Sequence, residues 1–251
     1  MLSKNQLKKL RGLQRKKERK ISGLFIVEGK KIVSELLKSS SAYVEIYALS
    51  SWFLNNPSYA LNDNSFELSE KELAQVSSLK TPNEVLLVLN QIELVDFSEA
   101  SNSSTILALD GVKDPGNLGT IIRLAHWFGI PHILCTSDTV DLYNPKTVQS
   151  AMGSITKVQL HYGDLAKMLC YFDKYKILAC DLNGTSIYKN EFQDKSIILM
   201  GSESHGISDE LLKIAHQKVT IPSFSSSEID SLNVAIATAI ILSELKSKAI
   251  I

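Results

Sequence analysis

Three polar segments could carry chemistry, because each follows an apolar run that is typical of a buried strand. In open α/β sheets, ligands bind beyond the carboxyl ends of the strands. The sequence contains no Gly-x-Ser-x-Gly elbow and no His-Glu-x-x-His motif, so it indicates neither a serine nucleophile nor a catalytic zinc site. The segments lie at 110–123, 201–206 and 221–234.

The first segment turns through Asp114-Pro115-Gly116 into a helix that we expect to run to Phe128, with Asn117 as its N-cap. Gly119 lies in the first turn, where glycine destabilises a helix, and the close approach of a ligand or of another backbone would explain it. Arg123 leans toward the helix N-terminus and can reach the loop that carries Asn117. The alternative is a capped surface helix with a solvated arginine.

The second segment leaves its strand through Gly201 and Gly206, which predict a tight turn with backbone amides available to a ligand. Glu203 is expected at the mouth of the sheet, and the next helix begins near Ser208. The alternative is an ordinary strand-to-helix turn, in which His205 is a solvated loop residue.

The third segment leads into a helix over 231–245 that is apolar nearly all round, so we expect it to be buried and to suit a subunit interface. Ser231 is its expected N-cap. Asn233 is the polar exception in the first turn and needs a partner, because an unpaired buried polar group is costly. The alternative is that Asn233 only satisfies nearby backbone groups.

The elements that position these segments divide the chain at a Ser/Asn-rich stretch, 98–104, which is the expected linker. Residues 105–251 alternate short apolar strands with helices, a pattern that predicts an α/β domain with a parallel sheet covered on both faces. Residues 1–97 predict a smaller α/β domain with helices at 30–38 and at 69–79, the latter capped by Ser69. The expected strands are 24–27, 44–49, 84–89, 105–109, 132–136, 176–180, 196–200 and 218–221.

The net charge of the 251 residues is zero, but residues 1–20 carry nine lysines and arginines and one acid. Such clustering is typical of nucleic-acid binding through phosphates, which we favour over a solvated tail. The candidate RNA-binding residues are Lys8, Lys9, Arg11, Arg15, Lys16, Arg19 and Arg123.

Several protein classes are excluded by motifs that the sequence lacks. No apolar run follows the basic start, so no secretory signal is expected, and the apolar stretch near 232–245 is too short and too polar to span a bilayer. Neither a P-loop nor a Gly-x-Gly-x-x-Gly loop follows a strand. Cys135, Cys170 and Cys180 have no metal-binding spacing and are expected to be buried thiols. We therefore expect a cytoplasmic protein without a membrane or metal partner.

In their order and content, the three segments together resemble the motifs of the SpoU/TrmH RNA 2′-O-ribose methyltransferases of the SPOUT superfamily. The resemblance covers about 106–246, and two shorter motifs resemble the substrate-binding domain that precedes the catalytic domain in many members. The matching motifs are Asn117-x-x-Gly119-x-x-x-Arg123, Gly201-Ser-Glu203, Ile221-Pro222 with Ser231-Leu-Asn233-Val, Phe25-Ile-Val-Glu28-Gly29 and Thr81-Pro82.

This resemblance implies S-adenosylmethionine as the cofactor, a deep C-terminal trefoil knot and a homodimer packed through the knotted region. It also implies an RNA substrate, with ribosomal RNA favoured over transfer RNA because of the extra N-terminal domain. The catalytic positions that it implies are Asn117, Arg123, Glu203, Ser231 and Asn233, and the cofactor-binding positions are Leu199, Gly201, Ile221 and Leu232.

A guanidinium stays protonated far above neutral pH, so we expect Arg123 to bind a phosphate and stabilise negative charge rather than act as a base. Two alternatives to the methyltransferase are a non-catalytic RNA-binding protein on the same fold and an unrelated α/β enzyme with a nucleotide cofactor. The intact polar positions argue against the first, and the missing phosphate loops argue against the second.

Overall fold

The computed structural model describes residues 2–39, 42–60, 62–225 and 231–248, which form two compact units. The first unit contains the chain up to Glu93 together with the later segment Asp141–Gly153. The second unit contains Leu94–Val140 and the chain from Ser154 onward. The expected linker therefore lies within the second unit, where Phe97–Asn102 forms a 3-10 helix and Ala100 is buried in the core.

The first unit is built on a mixed four-stranded sheet in the order β1-β4-β2-β3. Strand β3 runs parallel to β2, and the other neighbouring pairs are antiparallel. The strands are β1 (Leu24–Glu28), β2 (Glu45–Leu49), β3 (Ser65–Leu68) and β4 (Val85–Asn90), of which only β3 was not predicted. The helices are α1 (Lys4–Gly12), α2 (Lys16–Ser22), α3 (Lys30–Lys38), α4 (Ser50–Asn55) and α5 (Glu70–Val76).

The basic N-terminal segment is part of the packed structure of this unit rather than a solvated tail. Helix α1 begins with a capping box in which Ser3 and Gln6 satisfy each other's backbone N–H groups. Leu10 and Leu13 are buried in the same apolar cluster as Tyr47. The predicted cap of α5 is confirmed, since the Ser69 hydroxyl accepts a hydrogen bond from the Glu72 N–H.

The second unit is built on a six-stranded sheet in the order β10-β8-β9-β5-β6-β7, and every neighbouring pair is parallel, as predicted. Strands β5 and β9 are buried along their whole length because they lie at the centre of the sheet. The strands are β5 (Thr105–Leu109), β6 (His132–Thr136), β7 (Gln159–Gly163), β8 (Lys176–Ser186), β9 (Ser196–Met200) and β10 (Gln217–Thr220). The helices after α5 are α6 (Pro115–Trp127), α7 (Pro145–Ala151, in the first unit), α8 (Leu165–Tyr171), α9 (Asp209–Ile214) and α10 (Val234–Lys248).

Helix α6 begins three residues earlier than predicted. Its N-cap is Asp114, whose carboxylate accepts a hydrogen bond from the Asn117 N–H at 2.9 Å. Asp114 is the better start because it precedes Pro115, whose fixed φ suits the first helical position. The prediction that Asn117 caps the helix is therefore wrong, whereas Gly129 follows the helix with a φ of 67°, as a C-terminal stop requires.

Helix α10 is capped by Asn233 rather than by Ser231. The Asn233 Oδ1 atom accepts hydrogen bonds from the N–H groups of Ala235 and Ile236, at 3.0 and 3.3 Å. The helix packs against α6, but its burial is one-sided, since the Ile236 side chain on its outer face is 54% exposed. The expectation of burial on all sides is not met within this chain.

No helix among the described residues is long and apolar enough to cross a membrane. Nor do three or more histidine, cysteine or acidic side chains in those parts of the chain come together as a metal site. Burial raises the pKa of the Cys135 thiol, as expected of a core cysteine, whereas Cys170 is exposed, contrary to expectation.

Candidate active site

The chain turns back on itself directly after β9. The N–H group of Ser202 donates to the Gly206 carbonyl and the N–H group of Gly206 donates to the Ser202 carbonyl, each at 3.0 Å. Gly206 has a φ of 67°, and a Cβ atom on Gly201 would lie 2.2 Å from the carbonyl carbon of Gly206. Both positions therefore require glycine, and the predicted tight turn is confirmed.

A chain of polar side chains connects this turn to the starts of α6 and α10. The Asn233 Oδ1 atom is committed to the helix N–H groups, so its Nδ2 group points away and donates to the Asn117 Oδ1 atom at 3.0 Å. The Asn117 Nδ2 group is then left to donate to the Glu203 carboxylate. The cap thus fixes the orientation of both amides.

Asn117 can take part in this chain because Asp114 performs the capping. The Asp114 carboxylate occupies the backbone N–H of Asn117, while the Asn117 side chain projects from the first turn of α6. Asn233 satisfies backbone groups and also binds a side chain, so the alternative that it only satisfies nearby backbone groups is wrong. The structure therefore brings together Asn117, Glu203 and Asn233.

Arg123 and Ser231 are not joined to this chain. Arg123 is exposed on α6, and within the described parts of the molecule its guanidinium makes no hydrogen bond or ion pair. Ser231 is exposed and borders the cleft described next, without a hydrogen bond to Asn117, Glu203 or Asn233. Their catalytic roles stay predictions.

A cleft of about 460 Å³ opens beyond the carboxyl ends of β9 and β10, beside residues 180–183 of β8. Three of the predicted cofactor-binding residues, Gly201, Ile221 and Leu232, line it. Leu199 does not, because successive residues of a strand face opposite sides of the sheet. Its side chain is fully buried in the core and Met200 lines the cleft in its place, so a cofactor-binding role for Leu199 stays a prediction.

Among the cleft residues that the sequence analysis did not assign to the site, Asp181 in β8 carries a charge. Its carboxylate accepts hydrogen bonds from the Asn183 N–H at 2.8 Å and from Lys218 at 3.2 Å. These contacts, the Asn183 N–H foremost, lower the pKa of Asp181 against the opposing effect of burial. The rule that ligands bind where strands end could have found this residue, since it directly follows the predicted strand 176–180.

The exposed cations of the N-terminal helices form a stripe along α1 and the turn after it. Lys4, Lys8, Arg11 and Arg15 line a surface groove of about 410 Å³. They recur at intervals of three and four residues, which places them on one side of a helix. Lys16 is also exposed.

Several residues of the predicted RNA-binding set make contacts inside the first unit. Arg11 donates to the carbonyl and to the side-chain oxygen of Gln75, each at 3.2 Å. Arg19 is 3% exposed, and it donates to the carbonyls of Leu13 and Gln14 and pairs with Asp141 at 2.6 Å. It cannot reach a phosphate from this position, so the prediction for Arg19 is wrong. Lys9 pairs with Glu45 at 2.7 Å.

Two family models match the chain in succession. Residues 104–243 match the SpoU rRNA Methylase family, and residues 4–87 match the MRM3-like substrate binding domain. The first match includes Asn117, Arg123, Glu203, Ser231 and Asn233.

Individual proteins match over nearly the whole chain. The sequence is 30% identical to the Bacillus subtilis 23S rRNA (guanosine(2553)-2'-O)-methyltransferase RlmP, over 97% of each chain. Among solved structures, a TrmH-family protein from Porphyromonas gingivalis is 35% identical over 99% of both chains, with a TM-score of 0.83. The AdoMet-bound rRNA methyltransferase from Sinorhizobium meliloti is 27% identical over 99% of this chain and 96% of that chain, with a TM-score of 0.84.

Proposed function

Because the chain belongs to the SpoU rRNA methylase family, we propose that it is an S-adenosylmethionine-dependent enzyme that methylates a ribose 2′-hydroxyl of ribosomal RNA. The observation that carries this proposal is the hydrogen-bonded chain from Glu203 through Asn117 to Asn233, next to a cleft that suits a small molecule. The relative from Bacillus subtilis is named as a 23S rRNA 2′-O-methyltransferase, and the Sinorhizobium meliloti structure is named as AdoMet-bound.

The cleft fits S-adenosylmethionine in size and chemistry. Its volume of about 460 Å³ lies in the usual range for small-molecule sites. Ile221 and Leu232 offer apolar surface, while Gly201 contributes backbone without a side chain to the lining. When bound, the cofactor supplies a methyl group that is activated by a positively charged sulfur.

The reaction is an in-line displacement in which the ribose 2′-oxygen attacks a methyl carbon, so the residues of the enzyme mainly position the nucleophile. Arg123 is exposed and lacks a partner among the described residues, which leaves its guanidinium available to bind the phosphate beside the target ribose. There it also stabilises the negative charge that develops on the oxygen. The proton of the hydroxyl passes to water or to a phosphate oxygen.

Asn117, Glu203 and Asn233 act as positioning residues. Each amide has one group fixed by a neighbour, so the chain holds the Gly201–Gly206 turn against the starts of two helices. Ser231 borders the same cleft and is proposed to orient the ribose.

The test is methyl transfer from labelled S-adenosylmethionine to unmodified ribosomal RNA, with transfer RNA in a parallel reaction. We expect label in ribosomal RNA and almost none with Asn233→Asp, because Asp keeps the helix-capping oxygen and loses the amide that donates to Asn117. Unchanged thermal stability of that variant shows that the cap is intact. Cofactor binding without transfer to either RNA, including RNA in ribosomal precursors, would support a non-catalytic RNA-binding protein.

We further propose that residues 1–97 form a substrate-binding domain and 105–251 the catalytic domain, and that the stripe along α1 binds RNA phosphates. A deletion of the N-terminus would remove Leu10 and Leu13 from the core, so charge reversal is the cleaner test. Lys8→Glu with Arg15→Glu should weaken RNA binding and reduce its salt dependence. Lys38→Glu, at another exposed lysine of the first unit, is the control, and equal effects would contradict the proposal.

We also propose a homodimer and a C-terminal trefoil knot. The dimer is supported by apolar side chains on the outer faces of α6 and α10, where Trp127 is 84% exposed and Ile236 is 54% exposed. Ile236→Glu should shift sedimentation toward the monomer, whereas Leu54→Glu, at an 80% exposed position in α4, should not. The knot is supported by the convergence of the segments after β9, after β10 and before α10 on one cleft.

A further inference from the structure

The charged lining of the cleft carries only one sign among the described residues. The carboxylates of Asp181 and Glu203 border it, and no lysine or arginine in the described parts of the chain does so. Glu203 accepts its hydrogen bond from the neutral amide of Asn117, which does not cancel its charge. The cleft therefore offers a negative potential to whatever it binds.

Asp181 contributes a negative charge that is fixed in place. Its two carboxylate oxygens accept from the Asn183 N–H and from Lys218, and these contacts lower its pKa, so it is ionised at neutral pH. Three residues later the backbone is pressed against β10, since a Cβ atom on Gly184 would lie 2.4 Å from the carbonyl carbon of Val219. This close packing holds the segment that carries Asp181 against the neighbouring strand.

Lys218 partly neutralises the charge of Asp181. Its ammonium group pairs with Asp181 at 3.2 Å, and its side chain is 42% exposed and does not line the cleft. A partly exposed ion pair is screened by water, so Lys218 reduces the charge of Asp181 without removing its influence.

We propose that Asp181 and Lys218 set the preference of the cleft for S-adenosylmethionine over the demethylated product, and that they do so by charge. This inference rests on the proposed function. At neutral pH the cofactor carries a net charge of +1 from its sulfonium, ammonium and carboxylate groups, whereas S-adenosylhomocysteine has lost the sulfonium and is neutral. A carboxylate beside the cleft attracts the first more than the second, which favours exchange of product for fresh cofactor.

The experiment is calorimetric titration of the full-length protein with S-adenosylmethionine and, separately, with S-adenosylhomocysteine. Asp181→Asn should lower the ratio of the two affinities about fivefold, mainly through weaker cofactor binding, the size expected of one charge acting across a partly hydrated cleft. Lys218→Met removes the cation that pairs with Asp181. It should raise the ratio of S-adenosylmethionine affinity to S-adenosylhomocysteine affinity by about threefold. Asp173→Asn is the matched control, because Asp173 is exposed and precedes the opposite end of β8.

Equal loss of both affinities in Asp181→Asn would mean that Asp181 only shapes the loop, and it would overturn the proposal. The same holds if Lys218→Met leaves the ratio unchanged or lowers it, which decides the matter even if Asp181→Asn is poorly folded. If the unaltered protein binds neither ligand, the proposed function itself fails, an outcome that is distinct from binding without charge selectivity.

Discussion

The two units use a glutamate near the end of a strand in opposite ways. Glu28, the last residue of β1, is 4% exposed, and its carboxylate accepts from the hydroxyls of Ser77 and Ser78 and from the Ser78 N–H. Glu203, which follows β9, is exposed, and among the described residues it accepts a hydrogen bond from one amide. The first carboxylate is satisfied inside its own unit, whereas the second retains acceptor capacity that can act on a ligand.

The same contrast separates two arginines. Arg19 is buried and donates to two carbonyls and a carboxylate of the first unit, while Arg123 is exposed on α6 of the second and has no such contact among the described residues. Residue type alone does not distinguish a structural charge from a functional one. Burial and the number of internal partners do, and each can be tested by substitution.

The largest effect on stability is expected from Arg19→Ala. It leaves Asp141 without its cation and two carbonyls without donors, and losing one member of a buried pair costs about 3 kcal/mol. Urea unfolding followed by circular dichroism measures this loss. Lys20→Ala, at the exposed neighbouring position, should lower the free energy of unfolding much less. Similar losses in the two variants would contradict the distinction between buried and exposed charges.

Arg123→Ala should have the converse effect, a loss of rate without a loss of stability. Removing a group that stabilises developing charge typically lowers turnover about 100-fold, and the exposed side chain contributes little to folding. Single-turnover methyl transfer and thermal unfolding measure the two quantities. Lys157→Ala, another exposed cation of the second unit, should change neither, and a rate loss of equal size there would indicate general charge attraction instead.

The sequence predicts the central sheet well, because its strands are apolar runs bounded by turn residues. Strands β5, β6 and β9 begin and end where the pattern places them. Strand β7 was not predicted because its polar and aromatic residues Gln159, His161 and Tyr162 break the apolar pattern of a buried strand. His161 can be buried because its side chain contacts His132 of the neighbouring strand. The pattern of polar and apolar residues along one strand cannot predict that a polar side chain is buried with a hydrogen-bond partner on a neighbouring strand.

The site could be predicted as a set of positions but not as a network. Motif spacing places Asn117, Glu203 and Asn233 at the carboxyl end of the sheet, yet both N-caps were assigned to the wrong residue, because a second capping residue stands within three positions of each. Arg19 was misassigned for a different reason. Its partner Asp141 lies 122 residues away, in a segment that joins the first unit only through tertiary contacts.

The two glutamates provide a smaller and more direct test of the comparison. Glu28→Gln places an amide NH₂ group opposite donors in a buried site, which should lower the free energy of unfolding by about 2 kcal/mol. Glu203→Gln should leave stability nearly unchanged and lower the rate of methyl transfer, because the side chain is exposed. Denaturant unfolding and methyl-transfer assays on both variants measure stability and rate. A larger stability loss in Glu203→Gln than in Glu28→Gln would contradict the assignment of Glu28 as structural and Glu203 as functional.

The smallest effect concerns a buried polar contact inside the second unit. It shows that this unit, too, contains titratable side chains whose partners are internal. His132 and His161 are 9% and 6% exposed, and the Nδ1 atom of His132 lies 3.1 Å from the Nε2 atom of His161. Burial lowers the pKa of both, and the neighbouring His132 lowers that of His161 further, against the opposing carboxylates of Glu99 and Asp96.

The unfolded chain therefore takes up these protons at a higher pH than the folded chain, near the usual histidine pKa of about 6.5. Above that pH the two histidines are neutral in both states and do not reduce the free energy of unfolding. As the pH falls below it, toward the lower pKa values of the folded state, the unfolded chain binds protons first and the free energy of unfolding decreases. Thermal unfolding from about pH 7.5 to about pH 5.5 should show a declining midpoint, with a shallower decline in His161→Gln, which cannot titrate. His205→Gln, at an exposed loop position, is the control, and an unaltered slope in His161→Gln would assign the pH dependence to other groups.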